Sequence, residues 1–419
     1  MAKNSGLNDD RGAILIQAAF AMLALIAFAS FAFDHGVMSI SRNQAQNAAD
    51  AGALAGATAF AFDSTDDSDT GPAKQSALAV ALSNVIWGET PSVELAQGDV
   101  KICPTEVGCG PATCVAGAKC IRVDVYRNTA RSNPLPMFFG SLVGLTTQNI
   151  QAMATAQVLI GNATDCLKPW AIVDKWEENW APTSTFDKYK KAGPDVIVDP
   201  AITTPDSYTA PTESDPGTGY RPYNADGSFS SDYGRRIELT QGSQNDFEFG
   251  AGWFGALNLE DSRGGSDYGA NIRGCVGITF QIGQTLEIPN QTGMDVGNTR
   301  DAVGGPDVHN QAPDSLYNQD PTAWWDESLN GGRGGVADSC CPSSPRIVAV
   351  PVVNPDLMAL RNESGHANVV ISNILGFFVE GYIDHKVVGR LVTMPGLMAS
   401  GGATVGPESA FMKMITLVR

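Results

Sequence analysis

The apolar positions of this chain are concentrated in one uninterrupted run near its N-terminus. Between Ala13 and Phe33 the run contains two polar residues, Gln17 and Ser30, and no charge. At about 1.5 Å of rise per residue, a helix over these positions is roughly 30 Å long, which is the thickness of the hydrocarbon core of a bilayer. The pattern therefore predicts a transmembrane helix over residues 13–33.

The residues after the apolar run continue the helix but change its character. Small side chains recur at close spacing, and Ala45, Ala49, Gly52 and Gly56 give the helix a smooth face. Small residues let two helices approach closely. We therefore expect one long helix over residues 13–62, whose outer half packs against partner helices.

Shorter periodic elements follow this helix. An acidic break at 63–72 separates it from a second amphipathic helix at 73–87, and alternating segments follow at 91–102, 120–128 and 148–160. Residues 135–145 are apolar but too short to span a membrane, which favours a buried helix. Residues 73–160 are predicted to form a small α/β domain, and we expect the outer half of the long helix to pack on its sheet.

The second half of the chain has the pattern of β structure. Residues 191–232 are rich in Pro, Thr, Asp and Gly and have no periodicity, which predicts a linker or long surface loop within a connector over 161–235. Strand-like runs then lie between Gly and Asn turns at 236–240, 276–289, 346–353, 367–380, 387–394 and 410–418. We predict an α+β protein with a β-rich domain over 236–419, sandwich-like or an open barrel.

Composition and charge limit the function classes. The net charge of −18 argues against nucleic-acid binding, which needs cations to neutralise phosphates. Lys3 and Arg11 precede the apolar run, which by the positive-inside rule favours a cytoplasmic tail over residues 1–12 and an exported body. The eight cysteines also fit an oxidising compartment.

A specific motif surrounds the apolar run. Arg11-Gly12 precede it, Asp34 and Gly36 follow it, and residues 42–51 have the sequence RNQAQNAADA. This N-terminal segment resembles the TadE/TadG-like proteins of the Flp (tight adherence, Tad) pilus system, and TadG most. The resemblance implies a structural component of a pilus assembly and secretion apparatus, anchored in the bacterial inner membrane and contacting lipid and other pilus components through its N-terminal helix. It does not imply an enzyme.

Two processing events compete with an uncleaved anchor. Residues 27–29 fit a signal-peptidase site, but the apolar run continues beyond them to Phe33. The other event is prepilin-type cleavage between Gly12 and Ala13. Pilin-like segments carry a Glu at the fifth position after that cut, where this chain has Gln17. We predict that the anchor is retained.

The first group of cysteines has the spacing C-x5-C-x4-C-x5-C and consists of Cys103, Cys109, Cys114 and Cys120. Structural zinc sites usually place two cysteines two to four residues apart, so disulfides are favoured. Three connectivities are possible, and we expect the nested one, Cys103–Cys120 around Cys109–Cys114.

The second group consists of Cys166, Cys275, Cys340 and Cys341. Adjacent cysteines rarely bond each other, because the small ring strains the peptide between them. We therefore expect Cys340 and Cys341 to pair with Cys166 and Cys275. Such pairing would join residues 166–182 to the C-terminal domain.

Catalytic and metal-binding motifs are absent from the sequence. The histidines, His35, His309, His366 and His385, are scattered, and no zinc, nucleophile-elbow or phosphate-loop motif occurs. We predict no catalytic residue and no cofactor. Asn224, Asp226 and Asp232 resemble a fragment of a calcium loop without its final Glu, which leaves weak Ca²⁺ binding as an alternative.

Two further features leave alternatives open. Residues 66–70 have the spacing of an adhesion-domain metal site, although an acidic turn is favoured because no buried strand precedes them. Trp324 and Trp325 lie in a polar neighbourhood and form either an exposed contact patch or a core under a loop. The alternative function is an exported adhesin or a ligand- or ion-binding module with the same anchor.

Overall fold

The chain folds into two compact units in a computed structural model. It describes residues 11–62, 66–103, 114, 118–180, 184–193, 195–242, 249–260, 264–289, 294–341, 343–360 and 367–418. Unit 1 extends to Val158 and resumes at Ile415 near the C-terminus, and unit 2 is Leu159–Met414.

Unit 1 is built on one uninterrupted helix, α1 (Arg11–Phe62), which confirms the predicted continuation of the apolar run. A second helix, α2 (Pro72–Ser83), starts with proline in its first turn, where no intrahelical N–H is needed. The strands are β1 (Val100–Cys103), β2 (Lys119–Arg127), β3 (Leu135–Pro136), β4 (Thr147–Gln148) and β5 (Ile150–Ile160). Short 3₁₀ turns occupy Leu95–Gln97, Thr129–Arg131 and Gly140–Val143.

The sheet of unit 1 has the order β1-β2-β5, and β20 (Met412–Val418), which enters the unit at Ile415, lies next to β5. β2 is antiparallel to both neighbours, with Val123 opposite Val100 on one side and Ala154 on the other. The buried side chains Ile121 and Val123 belong to one core with the alanines of α1 and α2. The two helices therefore cover the sheet, which confirms the predicted packing of the outer half of the long helix on a small sheet.

The predicted buried helix at 135–145 is wrong. This segment contains β3, a 3₁₀ turn and exposed side chains at Phe138 and Phe139. Pro136 lacks the N–H that a helix needs, and Gly140 and the left-handed Gly144 (φ +89°) favour turns. The predicted strand at 91–102 is likewise reduced to β1 at its end.

Unit 2 contains many short elements. Its strands are β6 (Ala163–Thr164), β7 (Trp170–Val173), β8 (Tyr189–Ala192), β9 (Asp195–Val198), β10 (Arg236–Gln241), β11 (Trp253–Ala256), β12 (Phe280–Gln281), β13 (Thr285–Ile288), β14 (Trp324–Asp326), β15 (Gly335–Ala337), β16 (Ile347–Val353), β17 (Ala367–Ile383), β18 (Lys386–Val392) and β19 (Met394–Pro395). Its helices are α3 (Gly265–Arg273), α4 (Val296–Val303), α5 (Leu329–Gly332) and α6 (Pro355–Ala359), with a 3₁₀ turn at Tyr317–Gln319.

The main sheet of unit 2 closes into a barrel with the strand order β17-β16-β7-β11-β10-β18 and a final pairing of β18 with β17. The α+β class is confirmed, with a closed barrel in place of a sandwich. Closure depends on β17, which is 17 residues long and pairs first with β16 and then with β18. A closed barrel leaves no exposed sheet edge.

One face of all six barrel strands contributes to a single core cluster. The register places Ile172 opposite Phe254 on one neighbouring strand and Val352 on the other. Gly389 lies beside the ring of Phe377, where an added Cβ would come within 2.6 Å of that ring. The alternation of buried and exposed positions that predicted the strands therefore also defines the barrel interior.

The segment over 161–235 is part of unit 2 and not a separate connector. It supplies the barrel strand β7, and its proline-rich part buries Asp206, Tyr220 and Asp232. Asp206 accepts hydrogen bonds from the backbone N–H groups of Asn179, Trp180 and Asp187. Buried carboxylates bonded to backbone can order a segment that has no hydrophobic periodicity, so the composition gave the wrong boundary.

Every cysteine in the described ranges is in a disulfide, but the expected pairings are largely wrong. Cys114 bonds Cys120, which excludes the nested arrangement, and Cys103 is bonded too, while Cys109 lies outside the described residues. Cys166 bonds Cys275, and Cys340 bonds its neighbour Cys341. Pairing of β6 with β12 brings the segments of Cys166 and Cys275 together, a long-range effect that spacing does not reveal.

The Cys166–Cys275 disulfide should be an important stabiliser of unit 2. It joins residues 109 apart in sequence, so it restricts the unfolded chain strongly, whereas Cys340–Cys341 joins neighbours. We expect the double change Cys166→Ser and Cys275→Ser to lower the free energy of unfolding by about 2–4 kcal/mol. The matched control, Cys340→Ser with Cys341→Ser, should cost less than about 1 kcal/mol in the same denaturant titration. Equal losses would contradict this account.

Candidate functional site

The apolar half of α1 is not covered by the rest of the described chain. Side chains from Ile14 to Phe33 are almost all exposed, with Leu15 and Phe28 each at 74%, and Gln17 is exposed among them. The helix is long and apolar enough to cross a membrane. Exposing so many large apolar side chains to water is unfavourable, so this half requires an apolar environment.

The small-residue face of α1 lies in the core of unit 1. Ala45, Ala49, Gly52 and Gly56 are all buried. A Cβ added to Gly56 would lie 2.9 Å from the Cβ of Ala77. We call the contact of this face with α2 and β2 the seam.

The predicted docking of these four residues on partner helices is wrong, because the seam buries them within the chain. Their neighbours are small residues of the same chain, Ala77 and Ala81 of α2, together with Ile121 and Val123 of β2. The sequence pattern predicted the sheet beneath the helix, but it did not identify α2 of the same chain as the helical partner. Because the face is occupied within the chain, it is not free to bind another helix.

The change from the exposed half to the buried half occurs at Asp34. This carboxylate is buried and accepts hydrogen bonds from the backbone N–H groups of Phe138 (3.1 Å), Phe139 (3.1 Å) and Gly140 (2.6 Å). Three donors satisfy the charge, so its burial is tolerated. The carboxylate thereby fixes the loop 137–146 against the helix one residue beyond the apolar run.

The polar positions of the 42–51 motif are divided between two roles. Arg42, Asn43 and Asn47 are exposed. Gln44 accepts a hydrogen bond from the backbone N–H of Trp87 at 2.8 Å, and Gln46 donates to the carbonyl of Met153 at 3.0 Å. The glutamines therefore bind the helix to its own unit, and the remaining polar residues form a solvent-facing strip.

This helix can be compared with known proteins. Residues 12–59 match the family model of Flp pilus-assembly TadE/G-like proteins. The helix is a TadE/G-like segment. The match extends from the start of the apolar run to the end of the seam, and it supports a role in Flp pilus assembly. No curated protein and no solved structure matches the chain.

Outside the TadE/G-like segment, the proposed calcium fragment is dispersed. Asp226 accepts hydrogen bonds from the N–H and hydroxyl of Ser228 in a tight turn. Asp232 is buried and forms ion pairs with Lys175 and Arg235. The two carboxylates thus have protein partners, and Ca²⁺ binding stays an untested prediction.

The segment 66–70, which has the spacing of an adhesion-domain metal site, contains a hydrogen bond from the backbone N–H of Ser68 to the carboxylate of Asp66. This bond is typical of a solvated turn.

One acidic cluster was missed at the sequence level. Carboxylate oxygens of Glu178, Asp187 and Asp206 lie within 4.8 Å of one another. The pKa of Glu178 is raised, first by burial and then by the charge of Asp206. Both oxygens of Asp206, however, already accept backbone hydrogen bonds, so the cluster is explained by its structural role. Its members lie 9 and 19 residues apart along the chain, at no recognised motif spacing, so motif analysis could not reveal it.

The remaining candidate residues show no arrangement that indicates a binding or catalytic site within the described part of the chain. Trp324 is half-exposed, whereas Trp325 is buried near the ring of Phe378, so the pair is neither wholly a surface patch nor wholly a core. Burial raises the pKa of Asp174 to about 6, and this carboxylate accepts hydrogen bonds from Tyr208 and from the backbone of Tyr220. His35, His309 and His385 are exposed, and His366 lies outside the described residues.

Proposed function

We propose that this chain is a membrane-anchored structural component of an Flp/Tad pilus assembly and secretion apparatus, most like TadG. The observation that carries the proposal is the continuity of α1, whose apolar half is exposed while the rest of the TadE/G-like segment is built into unit 1. Residues 13–33 would cross the inner membrane and residues 1–12 would lie in the cytoplasm. Units 1 and 2 would be periplasmic or extracellular.

The cysteines support an exported body. Disulfides within both units, at Cys114–Cys120 and Cys166–Cys275, are stable in oxidising compartments and rare in the cytoplasm. A pilus component in the periplasm would keep them oxidised. The proposal therefore accounts for both the oxidising compartment of the body and the cytoplasmic position of residues 1–12.

The internal seam limits how pilus partners can bind. Contacts with other pilus components would use the surfaces of α1 that the fold leaves exposed, namely the apolar half at 14–33 and the polar strip with Arg42, Asn43 and Asn47. In the membrane, small residues such as Ala18, Ala19 and Ala21 allow close contact between spans. The mechanism is therefore assembly by protein contact, without a catalytic step.

Deletion of the gene in its native host tests the proposal. We expect loss of surface Flp pili by electron microscopy, and restoration by the full chain. A matched chain in which a cleavable export signal replaces residues 1–33 should be exported and folded yet fail to restore pili, because it lacks the anchor. Normal piliation of the deletion strain would contradict the pilus role.

The same strains discriminate the alternative function. An exported adhesin or ligand-binding module would leave piliation normal and reduce attachment of piliated cells to a surface. That alternative rests on the sequence alone and stays a prediction. If the full chain restores pili to the deletion strain, and the attachment of piliated cells equals that of the wild type, the assembly role is favoured.

A further inference from the structure

A partly exposed aromatic cluster lies beside the point where α1 leaves its apolar half. The ring centroids of Phe138 and Phe139 lie 5.5 and 5.7 Å from that of Phe33, both edge-to-face, and Trp87 lies 6.3 Å from Phe138. Phe138 is 49% exposed, Phe139 40%, and Leu145, in the same loop, 59%. We call Trp87, Phe138, Phe139 and Leu145 the collar.

The collar is held in place by buried charged groups. Asp34 accepts hydrogen bonds from the backbone of residues 138–140, as described above. The guanidinium of Arg127, which is almost fully buried, donates to the carbonyls of Ile86 and Pro134. One side chain thus fixes both the turn that carries the tryptophan and the entry to the phenylalanine loop. The exposed apolar side chains are therefore presented on a rigid frame.

The length of the apolar run gives the position of the collar relative to a membrane. If residues 13–33 cross the hydrocarbon core, Phe33 lies at its boundary, because the run is about as long as the core is thick. The headgroup layer adds roughly 5–7 Å on each side. The rings of Phe138 and Phe139 lie under 6 Å from that of Phe33, and their backbone is bonded to Asp34, one residue further out. This places them at the inner edge of the headgroup layer, where aromatic side chains are enriched in membrane proteins.

We propose that the collar lies in the headgroup layer of the bilayer from which α1 emerges, and that phospholipid is its partner. This inference rests on the proposed membrane span. The collar side chains carry no charge and the whole chain is acidic, so contact is apolar and does not depend on anionic lipid. Its role is to fix the depth of the helix exit and to hold unit 1 at the membrane surface.

Site-specific photocrosslinking tests the proposal on the full chain in phosphatidylcholine vesicles. A benzophenone side chain is introduced singly as Phe138→p-benzoylphenylalanine or Leu145→p-benzoylphenylalanine. The same change at Leu23 is the control for a position inside the membrane span. The same change at Met153 is the control for a position on unit 1 that lies away from the membrane. Met153 is exposed and bonds Gln46, which lies about 20 Å beyond Phe33 along α1. Adducts are identified by intact mass after irradiation.

We expect phosphatidylcholine adducts at positions 23, 138 and 145, and about tenfold fewer at 153. Lipid adducts at 23 with none at 138 and 145 would overturn the collar proposal and leave the membrane span intact. Adducts of doubled protein mass at 138 in place of lipid would also overturn it, since a second copy would then cover the collar. Absence of lipid adducts at all four positions would overturn the span and the collar together.

Discussion

The change Gly56→Leu should strongly destabilise unit 1. Even a Cβ at this position would lie 2.9 Å from both the Cβ of Ala77 and the Cγ2 of Ile121, and 3.1 Å from the carbonyl oxygen of Ala73. Overpacking usually costs about 1–3 kcal/mol, and here a whole side chain meets backbone on one side and a sheet on the other, so we expect about 3 kcal/mol or more. That loss is a large fraction of the stability of an ordinary domain.

Hydrogen exchange and a matched glycine make this prediction specific. Backbone amides of β2 should lose protection from hydrogen exchange in the Gly56→Leu variant, because β2 packs against α1 in the seam. Gly36→Leu changes the same residue type on the same helix, but a Cβ there meets no atom within 4 Å, so protection of β2 should not change. If Gly56→Leu folded normally and lost only pilus assembly, the seam would be a partner-binding face after all.

The change Arg346→Met should strongly destabilise unit 2. Arg346 is 2% exposed, and its guanidinium donates to the carbonyls of Val379 (2.8 Å), Asp320 (2.9 Å), Ala323 (2.8 Å) and Glu380 (2.8 Å). Methionine fills similar space but leaves these buried acceptors unpaired. We expect a loss of about 3–5 kcal/mol in the free energy of unfolding.

A second arginine provides the control for Arg346. Arg236 is exposed and forms ion pairs with Glu238 (2.8 Å) and Glu380 (3.1 Å) at the barrel surface. Surface ion pairs contribute little, so Arg236→Met should cost less than about 1 kcal/mol in the same chemical denaturation experiment. A small effect of Arg346→Met, similar to that of Arg236→Met, would show that other donors replace the guanidinium.

Local sequence pattern predicted most individual elements of this fold. The apolar run and its continuation predicted α1, and alternating burial predicted the strands near 120–128, 148–160 and 367–380. These elements were predictable because their periodicity reflects burial on one face. The TadE/G-like segment was recognisable for a different reason, namely the specific motif at 42–51.

Long-range relations were not predictable from the same patterns. Barrel closure depends on β17 pairing with two strands, and the Cys166–Cys275 bond depends on β6 meeting β12. The seam partner could not be identified either, because a small-residue face packs equally well on its own α2 or on another chain. Each of these features depends on contacts between segments far apart in sequence.

Buried polar residues were the other class that sequence analysis missed. Asp34, Arg127 and Arg346 are charged, and such residues are normally predicted at the surface. Each is buried because several backbone groups satisfy it, and no short motif reveals that arrangement. Asp34 belongs to the family motif, but that motif does not reveal its three backbone contacts, which join the apolar half of α1 to the loop 137–146.

The central claim is that α1 is a retained membrane anchor joined to an exported, disulfide-bonded body. The most direct test is the intact mass of the protein extracted from membranes, measured with thiol alkylation before and after reduction. We expect the full-length mass, no alkylation before reduction and eight alkylated cysteines after it. A mass that corresponds to a chain starting at Ala13 or Ser30 would contradict the claim, and so would eight alkylated cysteines without reduction.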